Sequence, residues 1–192
     1  MEGAGTHAIA IGFPAGVHAA FDSETVGWTT LWRGKFLDAE STWDDRFTPL
    51  AEPLGTNVIK LASGPAVSAA LKDNAPWPKD GLDFRGYRLA KTGSPTLLYR
   101  HGKTEITDTL APKNKGLQRV MTFGPGQEIL WVRLATAKEF LTRERGVWMA
   151  DEGFTIITPT ARVRRIGDSA ELIAPVRLRA NGKTVLEMEL QW

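Results

Sequence analysis

The rhythm of the chain constrains its fold most strongly, because short runs of β-forming residues are separated by Gly, Pro, Asn and Asp. The run 184–192 (TVLEMELQW) alternates apolar and polar residues, and the Asn181-Gly182 pair before it is typical of a tight β-hairpin turn. Predicted strands recur at roughly every eight to twelve residues, a spacing usual for antiparallel sandwiches and barrels. Long helices do not alternate with them, which disfavours a parallel α/β sheet. The sequence therefore predicts an all-β fold with little helix: an antiparallel two-sheet β-sandwich of jelly-roll or supersandwich type, or a related barrel.

A few segments depart from this rhythm. Residues 66–71 have room for one or two helical turns, and 137–145 (AKEFLTRER) has a helical composition. The patch 74–81 is predicted to be a loop, because Pro76 and Pro78 leave no room for a regular strand. The predicted core includes Trp28, Trp32, Phe84, Tyr87, Leu98 and Trp131.

Length and composition fit one folded domain. The chain has 192 residues, of which 42% are hydrophobic and 24% charged, so it carries enough apolar surface to fold. We expect a single β-sandwich domain over residues 1–192, excised from a longer exported protein. The sequence has no cysteine, which excludes disulfides, thiolate metal sites and cysteine nucleophiles within this chain.

The charge balance argues against nucleic acid as a partner. Lys and Arg number 24 against 22 Asp and Glu, which leaves no bulk field to attract a polyanion. A local basic patch includes Arg162, Arg164, Arg165, Arg177 and Arg179. On an alternating strand, Arg162 and Arg164 are predicted to form the solvent-facing half of an amphipathic pattern. No apolar run is long enough to span a bilayer, so membrane insertion is not expected either.

Motifs for metal and nucleophile chemistry are missing. His7, His18 and His101 lie on three separate segments, and none shows HxH or HExxH spacing. There is no G-x-S-x-G motif, and Gly124-Pro-Gly126 lacks the Lys-Ser/Thr that a phosphate-binding loop requires. The sequence therefore predicts no metal site and no cofactor.

Paired carboxylates are the most serious sign of an enzyme. Glycoside cleavage needs two carboxyl groups roughly 5–10 Å apart. Asp22 and Glu24 share parity, so they would lie about 7 Å apart on one face of an extended strand. The candidate acids and bases are Asp22, Glu24, Asp38 and His18. Asp22-Ser-Glu24 is also an ordinary turn sequence, so both interpretations stay open.

Tryptophans in loops suggest a different kind of site. Trp43 and Trp77 fall in segments rich in Pro and Asp, away from the predicted strands. Flat rings stack on the C–H faces of sugars while polar side chains hydrogen-bond the hydroxyl groups. The predicted ligand-binding residues are therefore Trp43, Trp77, Asp44, Arg46 and Arg85. Burial in the core is the competing interpretation for both rings, because a large sandwich also uses tryptophan to fill its interior.

The N-terminal two-thirds of the chain carries a series of short motifs. They are Ala8–Gly16 (AIAIGFPAG), Phe21-Asp22, Leu31–Asp38 (LWRGKFLD), Trp43, Pro53-Leu-Gly55 with Asn57, Phe84–Leu89 (FRGYRL), Leu98-Tyr99 and Gly116–Arg119 (GLQR). In order and spacing they resemble a β-rich domain of large exported planctomycete-type proteins, which also carry c-type cytochrome and sugar-dehydrogenase-like modules. The resemblance implies a periplasmic or secreted location, neighbouring domains in a longer chain, and a link to carbohydrate oxidation or breakdown. It supplies no functional residues, and the haem would lie in another module because this chain has no Cys-x-x-Cys-His.

Three functions are compatible with these features. The first is carbohydrate recognition by an accessory module of an exported carbohydrate-oxidising or polysaccharide-degrading protein. The second is a small carbohydrate-active enzyme, a hydrolase or lyase, that uses a carboxylate pair or a carboxylate with His18. The third is a structural module whose exposed rings dock onto a neighbouring domain. The first is the leading hypothesis, with carbohydrate and neighbouring domains as partners.

Overall fold

The computed structural model describes residues 1, 3–44, 50–73, 75–78 and 81–192. The protein is 58% strand and 2% helix. Every strand pairing in the described part is antiparallel. The all-β, antiparallel fold class predicted from the sequence is therefore confirmed.

The chain forms its elements in the following order. The first part contributes β1 (Ala8–Gly12), β2 (Val17–Asp22), β3 (Gly27–Arg33), β4 (Leu37–Asp38), the helix α1 (Glu40–Asp44), β5 (Glu52–Pro53), β6 (Thr56–Lys60) and β7 (Val67–Ser68). The middle part contributes β8 (Leu82–Leu89), β9 (Pro95–His101), β10 (Thr104–Lys113), β11 (Gly116–Phe123) and β12 (Ile129–Ala137). The last part contributes β13 (Phe140–Glu144), β14 (Val147–Ala150), β15 (Thr155–Ile157), β16 (Arg162–Ile166), β17 (Ser169–Arg177) and β18 (Thr184–Gln191).

The largest sheet has eight strands in the order β13-β14-β15-β18-β11-β10-β9-β8. Strands β8 to β11 form a meander, since each pairs with the next along the chain. β18 pairs with β11 on one side and β15 on the other, which places this late strand in the middle of the sheet. Its alternating residues Leu186, Met188 and Leu190 are buried, as the sequence pattern predicts.

Besides a small two-stranded sheet of β4 and β5, the structure has two four-stranded sheets, in the orders β1-β2-β3-β6 and β16-β17-β12-β7. The segment after β6 joins them. Leu61 donates its N–H to Thr29 on β3 (2.7 Å) and accepts the N–H of Thr136 on β12 (2.6 Å). Ala66 likewise accepts the N–H of Arg133 on β12 (2.8 Å), so the two sheets are continuous through backbone hydrogen bonds.

An apolar core connects the three larger sheets. Fully buried side chains come from each of them, for instance Phe21 on β2, Leu117 on β11 and Leu172 on β17. Burying a side chain of this size contributes about 1.5–3 kcal/mol relative to exposure. The alternation of the strands therefore stabilises the sandwich by directing one side of each sheet into this core.

The predicted core residues have different positions in the structure. Trp28 and Trp32 are buried, as predicted. Tyr87 is 55% exposed, so its assignment to the core is wrong; it lies on β8, the edge strand of the sheet, and no strand of the described part pairs with the outer side of β8. Trp131 is half-buried under the guanidinium of Arg162, which lies 4.8 Å from the ring centroid. Phe84 and Leu98 are also half-buried.

Neither segment predicted as helix is helical. Residues 137–145 contribute β13, where Phe140 pairs with Ala150 and packs against Phe154 at a ring distance of 6.3 Å. Residues 66–71 contain β7, which pairs with β12. Helical composition is a weak preference, and strand pairing together with burial of Phe140 outweighs it.

Candidate functional site

The predicted pair Asp22 and Glu24 does not form an acid–base site. Asp22 is buried and closes its own turn: Oδ1 accepts the Glu24 backbone N–H (2.9 Å) and Oδ2 accepts the Thr25 hydroxyl (2.6 Å). The Glu24 carboxylate is exposed and lies 3.1 Å from Nδ1 of His7. The turn interpretation of Asp22-Ser-Glu24 is therefore the one that the structure supports.

Asp38 and His18 also have structural roles. Asp38 is exposed on β4 and accepts the backbone N–H of Glu40 at 3.0 Å, which caps the start of α1. His18 is buried on β2, and its Nε2 donates to the carbonyl of Gly34 at 2.8 Å. The ring centroids of Trp32 and Phe36 lie 5.5 and 5.3 Å from the His18 ring, so this histidine is part of an aromatic cluster.

Trp43 and Trp77 do not form a joint stacking surface. Trp43 lies on α1 rather than in a loop, and 82% of it is exposed. Trp77 is only 6% exposed, with the guanidinium carbons of Arg133 and Arg164 at 5.1 and 5.7 Å from its ring. A ring enclosed in this way has no free face for a sugar, so Trp77 is corrected from a ligand residue to a core residue. Asp44 is exposed at the end of α1, and Arg46 lies outside the described residues.

The cations around Trp77 hold the Pro-rich loop against the sheet. Arg164 donates to Glu171 through Nε (2.9 Å) and to the carbonyls of Lys72 (2.7 Å) and Ala75 (2.9 Å). Arg133 donates to Glu171 at 3.3 Å, and burial lowers the pKa of Arg133 although Glu171 opposes this shift. The prediction that Arg164 faces solvent is wrong, because the chain covers this strand with the loop that contains Trp77.

Arg85 lies at a cavity of about 450 Å³ on the eight-stranded sheet. The register of β8 against β9 shifts between Phe84 and Gly86, and Gly86 has a φ of 108°. A β-bulge of this kind needs glycine for the positive φ and redirects the neighbouring side chain. The residues that line the cavity are Arg85, Arg88, Leu98, Tyr99, Arg100, Glu105, Ile106, Thr107 and Lys183.

Strand register brings the polar groups of the cavity together. Leu98 pairs with Thr107, and Arg100 pairs with Glu105, so these four side chains alternate with the buried positions of β9 and β10. Lys183 lies in the turn just before β18. The first residue of β18 pairs with the last residue of β11, and β11 pairs in turn with β10. The cavity therefore collects residues from the two adjacent hairpins of the meander and from a distant turn.

A buried hydrogen-bond network lies on the other side of these strands. Tyr99 donates its hydroxyl to Asp108 (2.9 Å), and Arg119 donates to the same carboxylate through Nε (3.0 Å) and Nη2 (2.7 Å). Burial raises the pKa of Tyr99 well above its ordinary value, and Asp108 adds to the rise. Burial alone would lower the pKa of Arg119, but Asp108 and Tyr99 together outweigh it and the pKa is raised. The network ties β9, β10 and β11 in register.

The charges at the cavity are mostly positive. Asp83 on β8 pairs with Arg100 (2.9 Å) and Arg85 (3.3 Å). Arg88 and Lys183 form no ion pair with any residue that the structure describes. Exposed cations of this kind, next to hydroxyl and apolar groups, form a polar surface with a net positive potential.

Sequence reasoning identified Arg85 but missed the other polar residues of the cavity. Arg88, Arg100 and Thr107 lie on the same outer face of a strand meander that the sequence predicts. The pairing register of these strands was therefore the signal that could have identified them. Lys183 had no such signal. Its position depends on where β18 joins the sheet, and turn residues alone do not specify that.

Another carboxylate pair, not identified from the sequence, lies near a cavity of about 430 Å³. Asp151 accepts the backbone N–H of Glu139 (3.1 Å), and this bond lowers the pKa of Asp151. Glu152 lines the cavity and accepts the N–H of Lys138 (3.3 Å); partial burial and Asp151 raise its pKa. Opposite shifts in neighbouring carboxyl groups are also found in acid–base pairs.

Comparison with known proteins adds one match. A family model described as a domain of unknown function (DUF6797) matches residues 19–108, a little under half of the chain. No curated protein and no solved structure matches. Within the described residues, no His, Asp or Glu side chains form a group of three placed to hold a metal ion. In the same part of the chain, no helix has the length and apolar character to cross a membrane. The stretch that is similar to DUF6797 includes every cavity residue except Lys183.

Proposed function

We propose that the chain is a non-catalytic carbohydrate-recognition module, an accessory part of an exported carbohydrate-oxidising or polysaccharide-degrading protein. In this proposal the ligand lies in the cavity around Arg85. The observation that carries the proposal is the convergence of guanidinium, carboxylate and hydroxyl groups around the apolar side chain of Leu98. Sugars present hydroxyl groups and C–H faces together, and such a mixed surface matches both.

The hydrogen-bond network beneath the surface also supports recognition. The network of Tyr99, Asp108 and Arg119 fixes the strands beneath the cavity, so little backbone entropy is lost when a ligand binds. Trp43 is not among the residues that line this cavity. It would add a separate, weaker contact, since a lone exposed ring supplies one face only.

Binding to polysaccharides tests the proposal. We expect affinity gel electrophoresis to show retardation of the intact chain by at least one polysaccharide in a broad panel. Arg85→Ala should weaken that binding about tenfold, because hydrogen bonds to charged groups contribute roughly 1.5–3 kcal/mol. Arg143→Ala is the matched control, since Arg143 lies on β13 at the opposite edge of the same sheet. Absence of retardation by every polysaccharide, or equal loss in both variants, would contradict the proposal.

The alternative is a small carbohydrate-active enzyme of the hydrolase or lyase type. The observation that favours it is the pair Asp151 and Glu152, whose pKa values are shifted in opposite directions beside a cavity. An enzyme would turn over at least one glycoside from a chromogenic panel, and Glu152→Gln would abolish that turnover. Turnover that is lost in Glu152→Gln but kept in Arg85→Ala would favour the enzyme over the recognition module.

A structural interdomain module is the third candidate. Tyr87 and Leu89 on the edge strand β8 are 55% and 64% exposed, and a neighbouring domain would cover this apolar surface. Polysaccharide binding distinguishes this role from recognition, because a purely structural module binds no carbohydrate.

A further inference from the structure

We infer that the ligand of the Arg85 cavity is an anionic carbohydrate, one that carries carboxylate or sulfate groups. The inference rests on the proposed function and names the class of sugar. The charges at the cavity are unbalanced, since its lining contains four cations and one carboxylate. The cations are Arg85, Arg88, Arg100 and Lys183, and the carboxylate is Glu105. A site for a neutral sugar does not need four cations, and holding cations close together is unfavourable where counter-ions do not balance all of them.

Internal ion pairs neutralise only part of this charge. Asp83 pairs with Arg85 and Arg100, which leaves Arg88 and Lys183 without an ion pair among the described residues. The chain as a whole has a formal net charge of only +2, so the excess at the cavity is local rather than a general property of the surface. A local excess of cations in a concave site raises the affinity for anionic groups.

The chemistry of the cations fits carboxylate and sulfate in particular. A guanidinium presents a planar fork of N–H donors that binds two oxygens of one anion at once. The other lining groups fit the rest of a sugar: Thr107 and Glu105 hydrogen-bond hydroxyl groups, and Leu98 packs against C–H groups.

Nucleic acid fits this surface less well. Sequence-independent binding of single strands uses aromatic rings on which the bases stack, together with a cationic groove along the backbone. Tyr99 is the one aromatic residue among those that line the cavity, and its ring is buried with its hydroxyl bonded to Asp108. The four cations are also confined to one cavity of about 450 Å³.

The test compares polymers that differ only in charge. We expect isothermal titration of the full chain to show binding of polygalacturonate or a sulfated galactan. Methyl-esterified polygalacturonate and the desulfated galactan should bind at least tenfold more weakly. The two acidic polymers distinguish carboxylate from sulfate. Affinity for the acidic polymer should also fall as the salt concentration rises, because the cavity is open to solvent.

Variants locate the effect. Arg88→Gln with Lys183→Gln should weaken binding of the acidic polymer about tenfold or more, without a change in thermal unfolding, since neither side chain has an ion pair in the described structure. Arg143→Gln with Arg145→Gln removes two exposed arginines of the β13 hairpin and is the matched control. Equal weakening by both double variants would overturn the assignment of the anion to this cavity.

The remaining outcomes separate the inference from the proposed function. Equal binding of the esterified and acidic polymers would overturn the anionic class and leave carbohydrate recognition standing. Equal binding of poly-glutamate or single-stranded DNA would show attraction of polyanions in general and overturn both. If no polysaccharide binds, acidic or neutral, the proposed function fails and the inference fails with it.

Discussion

Two tryptophans with the same predicted role have opposite environments. Trp43 is exposed on a helix of five residues, whereas Trp77 is buried against the guanidiniums of Arg133 and Arg164. Both rings come from segments that resemble loops in sequence, and tertiary contacts alone separate them. A cation close to a desolvated ring adds about 2 kcal/mol to the stabilisation from burial.

Trp77→Ala should therefore lower the free energy of unfolding by about 3–5 kcal/mol, because it leaves a cavity under two buried cations. Trp43→Ala should change that free energy by less than about 0.5 kcal/mol, since the ring is exposed. Urea denaturation followed by circular dichroism measures both. Equal effects of the two substitutions would contradict the burial described for Trp77.

The raised pKa of Tyr99 makes stability depend on pH at the alkaline end. In the unfolded chain the phenol ionises near pH 10, while in the folded chain burial and Asp108 keep it protonated. The unfolded state then binds fewer protons than the folded state above pH 10, so the free energy of unfolding falls as pH rises. Urea denaturation at a series of pH values should show this fall. Tyr99→Phe should reduce the slope above pH 10, and an unchanged slope would be evidence against a buried, protonated phenol.

At the scale of elements, charged side chains attach loops to strands. Glu171 on β17 is shared by Arg164 and Arg133, and Arg164 also binds the carbonyls of Lys72 and Ala75. Removing one partner of a buried ion pair is strongly unfavourable, because the remaining charge stays buried without compensation. Loss of the Glu171 carboxylate would leave both Arg133 and Arg164 buried without a compensating charge.

Glu171→Gln should lower the free energy of unfolding by about 3–5 kcal/mol and increase amide hydrogen exchange in the described parts of the loop 71–78. Asp73→Asn is the control, because it removes only the exposed ion pair with Arg162 (3.2 Å). If Glu171→Gln leaves exchange in the loop unchanged, the attachment depends on other contacts.

Alternation of apolar and polar residues predicted most of the strands, but it predicted fewer of the side-chain contacts at the candidate sites. Alternation between Phe84–Leu89 and Thr96–Arg100 identified a hairpin and placed Arg85 on it, because register within a hairpin is set by nearby residues. The burial of Trp77 depends on Arg133 and Arg164, which lie far along the chain on other strands. Contacts of that kind follow from sheet order, which periodicity does not encode.

At the scale of the whole molecule, side chains with structural roles lie apart from the cavity around Arg85. The carboxylates and rings near the N-terminal sheet close turns, cap α1 or fill the core, as Asp22, Asp38 and Trp32 do. The edge of the eight-stranded sheet at β8 instead leaves a cavity with unpaired cations, supported from beneath by Asp108 and Arg119. This division makes the β8 edge the proposed place for a carbohydrate ligand.

Mapping of amide chemical shifts by nuclear magnetic resonance tests this assignment most directly. The intact chain is titrated with oligosaccharides prepared from the polysaccharide that retards it in gels. We expect the largest shifts on β8, β9 and β10 and at Lys183, with Arg143 and its neighbours on β13 unaffected. Shifts clustered instead around Asp151 and Glu152, or spread without a centre, would contradict it.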